Sequence, residues 1–184
     1  VVMAPIRVVV NGATGKMGVE TVAAVCREDD LTLVGATCHT PRGSSLPLPD
    51  GSSVPLSTNL EELLKETTPE VLVDFTNATA SMEASLMAAG MSVNLVLGAS
   101  GLTDDNFKQL DAVANDKNIG VIVAPNFALG AVVLKRLVEQ AVEYFDYVDI
   151  IESHHEAKID APSGFAMNLA KSIGDKKQFT RNVT

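Results

Sequence analysis

Short apolar runs alternate along the chain with stretches whose apolar residues recur at helical spacing. Ile6 to Val10 is an apolar run broken only by Arg7, the pattern of a strand buried on both faces of a parallel sheet. Leu31 to Thr37, Val71 to Phe75, Val93 to Leu97 and Ile119 to Val123 read as further strands. Helices are expected over Val19–Arg27, Asn59–Glu66, Thr79–Ala89 and from Thr103 or Asp104 to about Asn115. Asn59 or Thr58 caps the second of these, and Gly90 stops the third. Residues 41–55 are rich in Gly, Ser and Pro and read as an exposed loop with one short strand around Val54. A long amphipathic helix then spans Leu129–Tyr144. Tyr147 to Ile151 alternates and is β-rich, so it reads as a strand leading to Glu152. Phe165 to Ile173 has helical spacing, with Ser163 as its N-cap. The fold class is α/β: a doubly wound parallel sheet over residues 1–127, then an incomplete second domain over 128–184. Internal repeats and low-complexity segments are absent from the sequence.

The turns carry the chemistry. The first strand runs straight into Gly12-Ala13-Thr14-Gly15-Lys16-Met17-Gly18. Gly12, Gly15 and Gly18 form G-x-x-G-x-x-G, a variant of the dinucleotide fingerprint in the strand-to-helix context that its mechanism requires. The need is a tight turn, close approach of backbone to pyrophosphate, and close helix–strand packing. In an open parallel sheet the carboxyl ends of the strands line the ligand crevice. Thr76, Gly98, Ala99, Ser100, Ala124, Pro125, Asn126 and Phe127 all fall there. The second strand ends in Cys38-His39-Thr40-Pro41-Arg42, without the acidic residue that holds the ribose hydroxyls of NAD. His39, Arg42 and Lys16 are placed to face a 2′-phosphate, so NADPH is expected in preference to NADH.

A second stretch points to substrate chemistry. Glu152 to Phe165 reads Glu-Ser-His-His-Glu-Ala-Lys-Ile-Asp-Ala-Pro-Ser-Gly-Phe. A helix N-terminus offers free N–H groups, Lys158 adds a mobile positive charge, and a histidine is readily poised to give a proton near neutral pH. These residues suit a carboxylate- or phosphate-bearing substrate and a proton transfer. His154 and His155 have no further Cys or His at ligand spacing, so no metal is expected. Cys26 and Cys38 read as thiols in a reducing compartment.

Charge and length narrow the classes. The formal net charge of −9 excludes a nucleic-acid partner, which needs a basic face. No apolar run reaches the ~18 residues of a transmembrane helix. The opening residues lack a signal-peptide layout, and Met3 reads as the natural start, so a cytoplasmic protein is expected.

The motifs Gly12 to Gly18, Asp74-Phe75-Thr76, Gly98 to Gly101, Ala124 to Phe127 and Glu152 to Gly164 together resemble the dihydrodipicolinate reductase (4-hydroxy-tetrahydrodipicolinate reductase) family. The resemblance runs the whole length of the chain. It implies a Rossmann domain followed by a substrate domain on a mixed sheet, and a homotetramer joined through that sheet. It implies reduction of a cyclic dicarboxylate by NADPH or NADH in lysine and diaminopimelate biosynthesis. By position it makes His154 the general acid, with Lys158 assisting protonation and holding a substrate carboxylate. It makes His155, Ser163, Gly164 and Phe165 substrate-binding, and Gly12 to Met17, Gly98 to Ser100 and Ala124 to Phe127 cofactor-binding. Three positions depart from the pattern: Ala99-Ser100 replaces Thr-Thr, Ala128 replaces Ser, and Phe165 replaces a Thr whose hydroxyl lies near a substrate carboxylate. Family members also continue well past Thr184. A non-catalytic nucleotide-binding relative, and another two-domain oxidoreductase acting on a carboxylate, stand as the alternatives.

Overall fold

The computed structural model describes residues 4–40, 42–124, 126–154, 156 and 161–179. They form two compact units, Val1–Ala124 and Pro125–Thr184.

The first unit is α/β. Its elements are β1 (Ile6–Asn11), α1 (Lys16–Val25), β2 (Leu31–Thr37), β3 (Ser45–Pro47), β4 (Ser53–Ser57), α2 (Leu60–Thr67), β5 (Val71–Asp74), α3 (Ala78–Gly90), β6 (Asn94–Leu97), α4 (Asp104–Lys117) and β7 (Val121–Val123). The strands lie in the order β3-β4-β2-β1-β5-β6-β7. Every pairing is parallel except β3 with β4, which makes the sheet mixed at one edge. The chain moves outward from β1 to β2 on one side and later resumes at β5 on the other. The carboxyl ends of β1 and β5 therefore flank the switch point at which such sheets bind ligands.

Strand β1 is central, and its apolar run shows why. Val9 joins Leu72, Leu95, Leu97, Leu63 and Ala88 in one buried cluster. Val8 and Val10 join Val22, Val25, Leu33 and Ala36 in another. Successive strand side chains point to opposite faces, so a strand covered by helices on both sides must be apolar throughout.

Local chemistry sets the helix ends. The Asn59 side chain accepts from the Glu62 N–H at 3.2 Å, and Asn77 accepts from Ala80 at 3.1 Å. Thr103 and Asn106 form a reciprocal capping box. Helix α3 runs through Gly90, and the left-handed residue comes two positions later at Ser92 (φ 59°). The helix thus ends at Gly90, as expected, with Met91 as its C-cap. The polar stretch after β2 holds more structure than a loop with one strand. Leu46 of β3 lies opposite Val54 of β4, closed by a turn with Gly51 at φ 85°.

The second unit holds α5 (Leu129–Ala141), a 3₁₀ turn (Val142–Tyr144) and α6 (Gly164–Lys176). Its described core is Val142, Leu169 and Ile173, with Val138, Phe165 and Phe179 against it. Lys135 Nζ on α5 donates to Asn168 Oδ1 on α6 at 2.8 Å. The expected strand over 147–151 does not form: no strand occurs among the described residues of this unit. An alternating pattern makes a strand only where a neighbour completes the ladder, and the described residues supply none. No helix among the described residues is long and apolar enough to cross a membrane.

Candidate functional site

The glycine turn is built by two close approaches. Gly12 takes φ +79°, and a Cβ there would lie 3.0 Å from Thr76 Cγ2. A Cβ on Gly18 would fall 2.1 Å from the Gly12 carbonyl oxygen and 2.7 Å from Ala13 Cα. Only glycine lets α1 start this near the strand. The turn closes through Gly15 N–H to Gly12 O at 3.0 Å and is tied to β2 by Ala13 N–H to Thr37 O at 2.9 Å.

Helix α1 begins without a side-chain cap, because its N-cap is Gly15. Helices α2, α3, α4 and α6 each have one. The first-turn amides of α1, on Lys16, Met17 and Gly18, have no acceptor within the helix. With the positive end of the helix dipole behind them, they form an arrangement able to receive an anion. Thr14 is half-buried beside them, while Lys16 and Met17 are exposed. His39 and Arg42 follow β2 and are also exposed.

Beyond β5 and β6 the crevice wall is close-packed. Gly98 N–H donates to Asp74 O at 2.8 Å, and a Cβ on Gly98 would lie 2.2 Å from Phe75 Cε1. The Phe75 ring thus lies against the Gly98 backbone. Ala99 is buried and Ser100 exposed. Ala124 extends β7, donating to Leu97 O at 2.9 Å.

Below the turn lies a polar network that the sequence reading did not assign. Asp74 is fully buried. It accepts from Asn11 Nδ2 at 2.5 Å, from the Thr76 N–H at 3.0 Å and from the Thr76 hydroxyl at 2.9 Å. The Thr37 hydroxyl donates to Asn11 Oδ1. One signal was available in the sequence. Val-Leu-Val-Asp puts a carboxylate at the end of a strand buried on both faces, where it needs hydrogen-bond donors.

In the second unit, Asn126 Oδ1 accepts from the Ala128 N–H at 2.8 Å, and Phe127 is exposed. Glu152 accepts from the Ser163 N–H at 2.7 Å and from the Ser163 hydroxyl. That hydroxyl oxygen in turn accepts the Ala166 N–H at 3.1 Å and caps α6. His154 Nδ1 stands 3.9 Å from Glu152 Oε2, with the imidazole partly exposed. So one carboxylate brings His154 and the start of α6 together. Gly164 opens α6 where an added Cβ would meet no described atom within 4 Å, and Phe165 packs against the cluster around Leu169. Pro125, His155 and Lys158 lie outside the described residues. Among the described residues no group of three or more His, Cys, Asp or Glu could hold a metal ion.

The sheet order and the uncapped glycine turn define a Rossmann-like α/β protein with a second, C-terminal unit. Residues 6–127 match the profile described as dihydrodipicolinate reductase, N-terminus, and residues 130–183 the one described as its C-terminus. The chain belongs to the dihydrodipicolinate reductase family. It is 45% identical over 172 residues to a 4-hydroxy-tetrahydrodipicolinate reductase of Dehalococcoides mccartyi, covering 93% of this chain and 65% of that protein. It is 40% identical over 182 residues to the Syntrophomonas wolfei protein of the same name, covering 96% of this chain and 68% of that one. The solved structure of a dipicolinate-bound dihydrodipicolinate reductase from Paenisporosarcina sp. TG-14 superposes with a TM-score of 0.80 at 34% identity, over 98% of this chain and 69% of that one. GenD2 from gentamicin A biosynthesis, solved with NAD, shares the fold at TM-score 0.63 and 20% identity, over 76% of this chain and 40% of its own.

Proposed function

We propose that the whole protein reduces dihydrodipicolinate (4-hydroxy-tetrahydrodipicolinate) to tetrahydrodipicolinate with NADPH or NADH, within lysine and diaminopimelate biosynthesis. The observation that carries this reading is the family match over both units. The site geometry supports it. The nicotinamide, when bound, supplies the hydride. The amides of Lys16 and Met17 would hold the pyrophosphate, and the Gly12 turn and Thr76 would let it approach the backbone. Gly98 to Ser100 and Ala124 to Phe127 would line the rest of the cofactor site. The exposed Lys16 and Arg42, with His39 beside them, would face a 2′-phosphate, which favours NADPH.

The substrate chemistry falls to the second unit, which we assign to residues 128–184. Dipicolinate, the ligand of the Paenisporosarcina relative, is a ring bearing two carboxylates. At the start of α6, Gly164 and Phe165 would offer amide donors to such a group, while Ser163, which gives its N–H and hydroxyl to Glu152, would shape the turn, and Lys158 and His155 would add to them. Phe165 contributes only its backbone N–H, because its ring packs on the Val142–Leu169 core. Glu152 faces His154 Nδ1, which leaves Nε2 to deliver the proton. We further propose a cytoplasmic homotetramer.

Turnover of the coupled synthase product with NADPH tests the reading. Consumption of NADPH by the whole protein, lost in a His154→Gln variant, is the expected result. Tight NADPH binding without turnover would instead favour the non-catalytic relative, to which the missing hydroxyl at Phe165 points.

A further inference from the structure

Asp74 has a property that its family position does not explain: it sets the direction of the side-chain hydrogen bonds that run through Asn11 and Thr37 to the Gly12 N–H. A carboxylate has no hydrogen to give, so each group facing it must donate. Its Oδ1 takes the N–H and the hydroxyl of Thr76. Its Oδ2 takes Asn11 Nδ2 at 2.5 Å, so the amide of Asn11 can be oriented in one way only. Asn11 Oδ1 is thereby turned to Thr37 and takes its hydroxyl hydrogen. The Thr37 oxygen then has lone pairs free toward the turn and accepts the Gly12 N–H at 3.4 Å, while Thr37 O accepts Ala13 N–H at 2.9 Å. The chain of polarity runs from a buried charge at the end of β5, through β1 and β2, to the two residues that open the turn. The same carboxylate holds Thr76, whose methyl group limits the space at Gly12.

We propose that Asp74 is a positioning residue for the dinucleotide site, acting through Asn11 and Thr37 to hold Gly12 and Ala13 in the binding conformation. The proposal rests on the reading of the β1–α1 turn as the cofactor site. Asp74 itself touches no ligand in this scheme. It fixes the acceptor that meets the Gly12 N–H, beside the backbone bond from Ala13 N–H to Thr37 O, and the amides of the first turn of α1 stay for the phosphates.

Reversing the polarity tests it. In Asp74→Asn, keeping an oxygen toward Thr76 leaves an NH₂ toward Asn11. Asn11 must then turn over, its NH₂ meets the Thr37 hydroxyl, and the Thr37 hydrogen is driven toward the Gly12 N–H. Asn11→Asp sets two carboxylates against each other. In the double swap, Asn11→Asp with Asp74→Asn, the amide at position 74 donates to the carboxylate at position 11. That carboxylate still accepts from Thr37, so each bond of the chain from position 74 to Thr37 and the net charge are restored, and Thr76 keeps its bonds to the remaining oxygen at position 74. Thr37→Val removes only the last link and leaves Asp74 satisfied. It serves as a second variant if a single swap fails to fold.

Two readouts are taken on the full 184-residue chain: amide exchange of Gly12 and Ala13 without ligand, and the Kd for NADPH by calorimetry. Each single variant should speed exchange at Gly12 and raise Kd by about tenfold or more, since affinity falls with the fraction of turn in the binding conformation. The double swap should return both to within about threefold of the parent, because it rebuilds each donor–acceptor pair. Unchanged exchange and Kd in the single variants, or a folded double swap no better than the worse single, would overturn the proposal. If the parent chain binds neither NADPH nor NADH, the cofactor reading falls, and the exchange rates alone decide whether Asp74 holds the turn.

Discussion

Gly18 sits against Gly12 so closely that a methyl group on Gly18 would lie 2.1 Å from the Gly12 carbonyl oxygen. The contact is with backbone, which cannot swing aside as a side chain would. Gly18→Ala should therefore push α1 away from β1 and destabilise the first unit by about 1–3 kcal/mol, the range for overpacked sites. Gly90→Ala is the control. It is also a helical glycine, but nothing lies near its Cα. Relief of glycine's helix penalty should stabilise that variant by about 0.5–1 kcal/mol. Denaturant unfolding of the two variants gives the comparison, and equal effects would contradict the packing argument.

Ser163 joins Glu152 to the first turn of α6. Ser163→Ala removes the cap and one donor to the carboxylate. A lost cap alone costs about 1 kcal/mol. The thermal midpoint of the variant should fall, with loss of helical circular dichroism from the second unit. Ser163→Thr, which can rebuild both bonds, should recover most of it. An unchanged midpoint in Ser163→Ala would show that the cap contributes little.

His154 is the proposed proton donor. His154→Gln should lower kcat by about 10²-fold or more, the scale of general acid catalysis, while the Kd for NADPH stays near the parent value. Steady-state kinetics paired with calorimetry separates the two effects. Full turnover in the variant would remove His154 from the mechanism.

The proposed preference for NADPH rests on the end of β2. Lys16, His39 and Arg42 are exposed and no carboxylate lies between Cys38 and Arg42. NADPH should bind at least as tightly as NADH, and added salt should weaken NADPH more, since its extra phosphate is held by screened charges. Titration of both nucleotides at two salt concentrations tests this. A clear preference for NADH would refute the charge argument.

What could be read from the sequence was local. The run Leu31–Thr37 is a strand with those limits. Asn59, Thr103 and Ser163 cap the helices that follow them. Such features depend on neighbours a few residues away. Strand β3 was missed because three residues in a Ser- and Pro-rich stretch become a strand only by pairing with β4. The reverse error occurred at 147–151, where the alternation is present and the pairing is not. The candidate site divides along the same line. The glycine turn announces itself by spacing. The Asp74 network does not, because Asn11 is 63 residues from Asp74 and 26 from Thr37. Glu152 stands in its motif with no role that spacing assigns. Its partner Ser163 is 11 residues distant, across a turn that no periodicity describes.

The missing side-chain cap on α1 reaches beyond the crevice. A helix start left open by its own chain is a standing defect of the ligand-free fold, and an anion there repairs it. Under the proposed cofactor reading, binding and folding of the first unit would be linked by mass action, and the melting temperature would become a measure of nucleotide concentration. At a free concentration 100 times Kd the gain is about 2.7 kcal/mol. Cells that hold the nucleotide well above Kd would thus keep the protein folded partly by keeping it loaded, and its lifetime would follow the supply of its own cofactor.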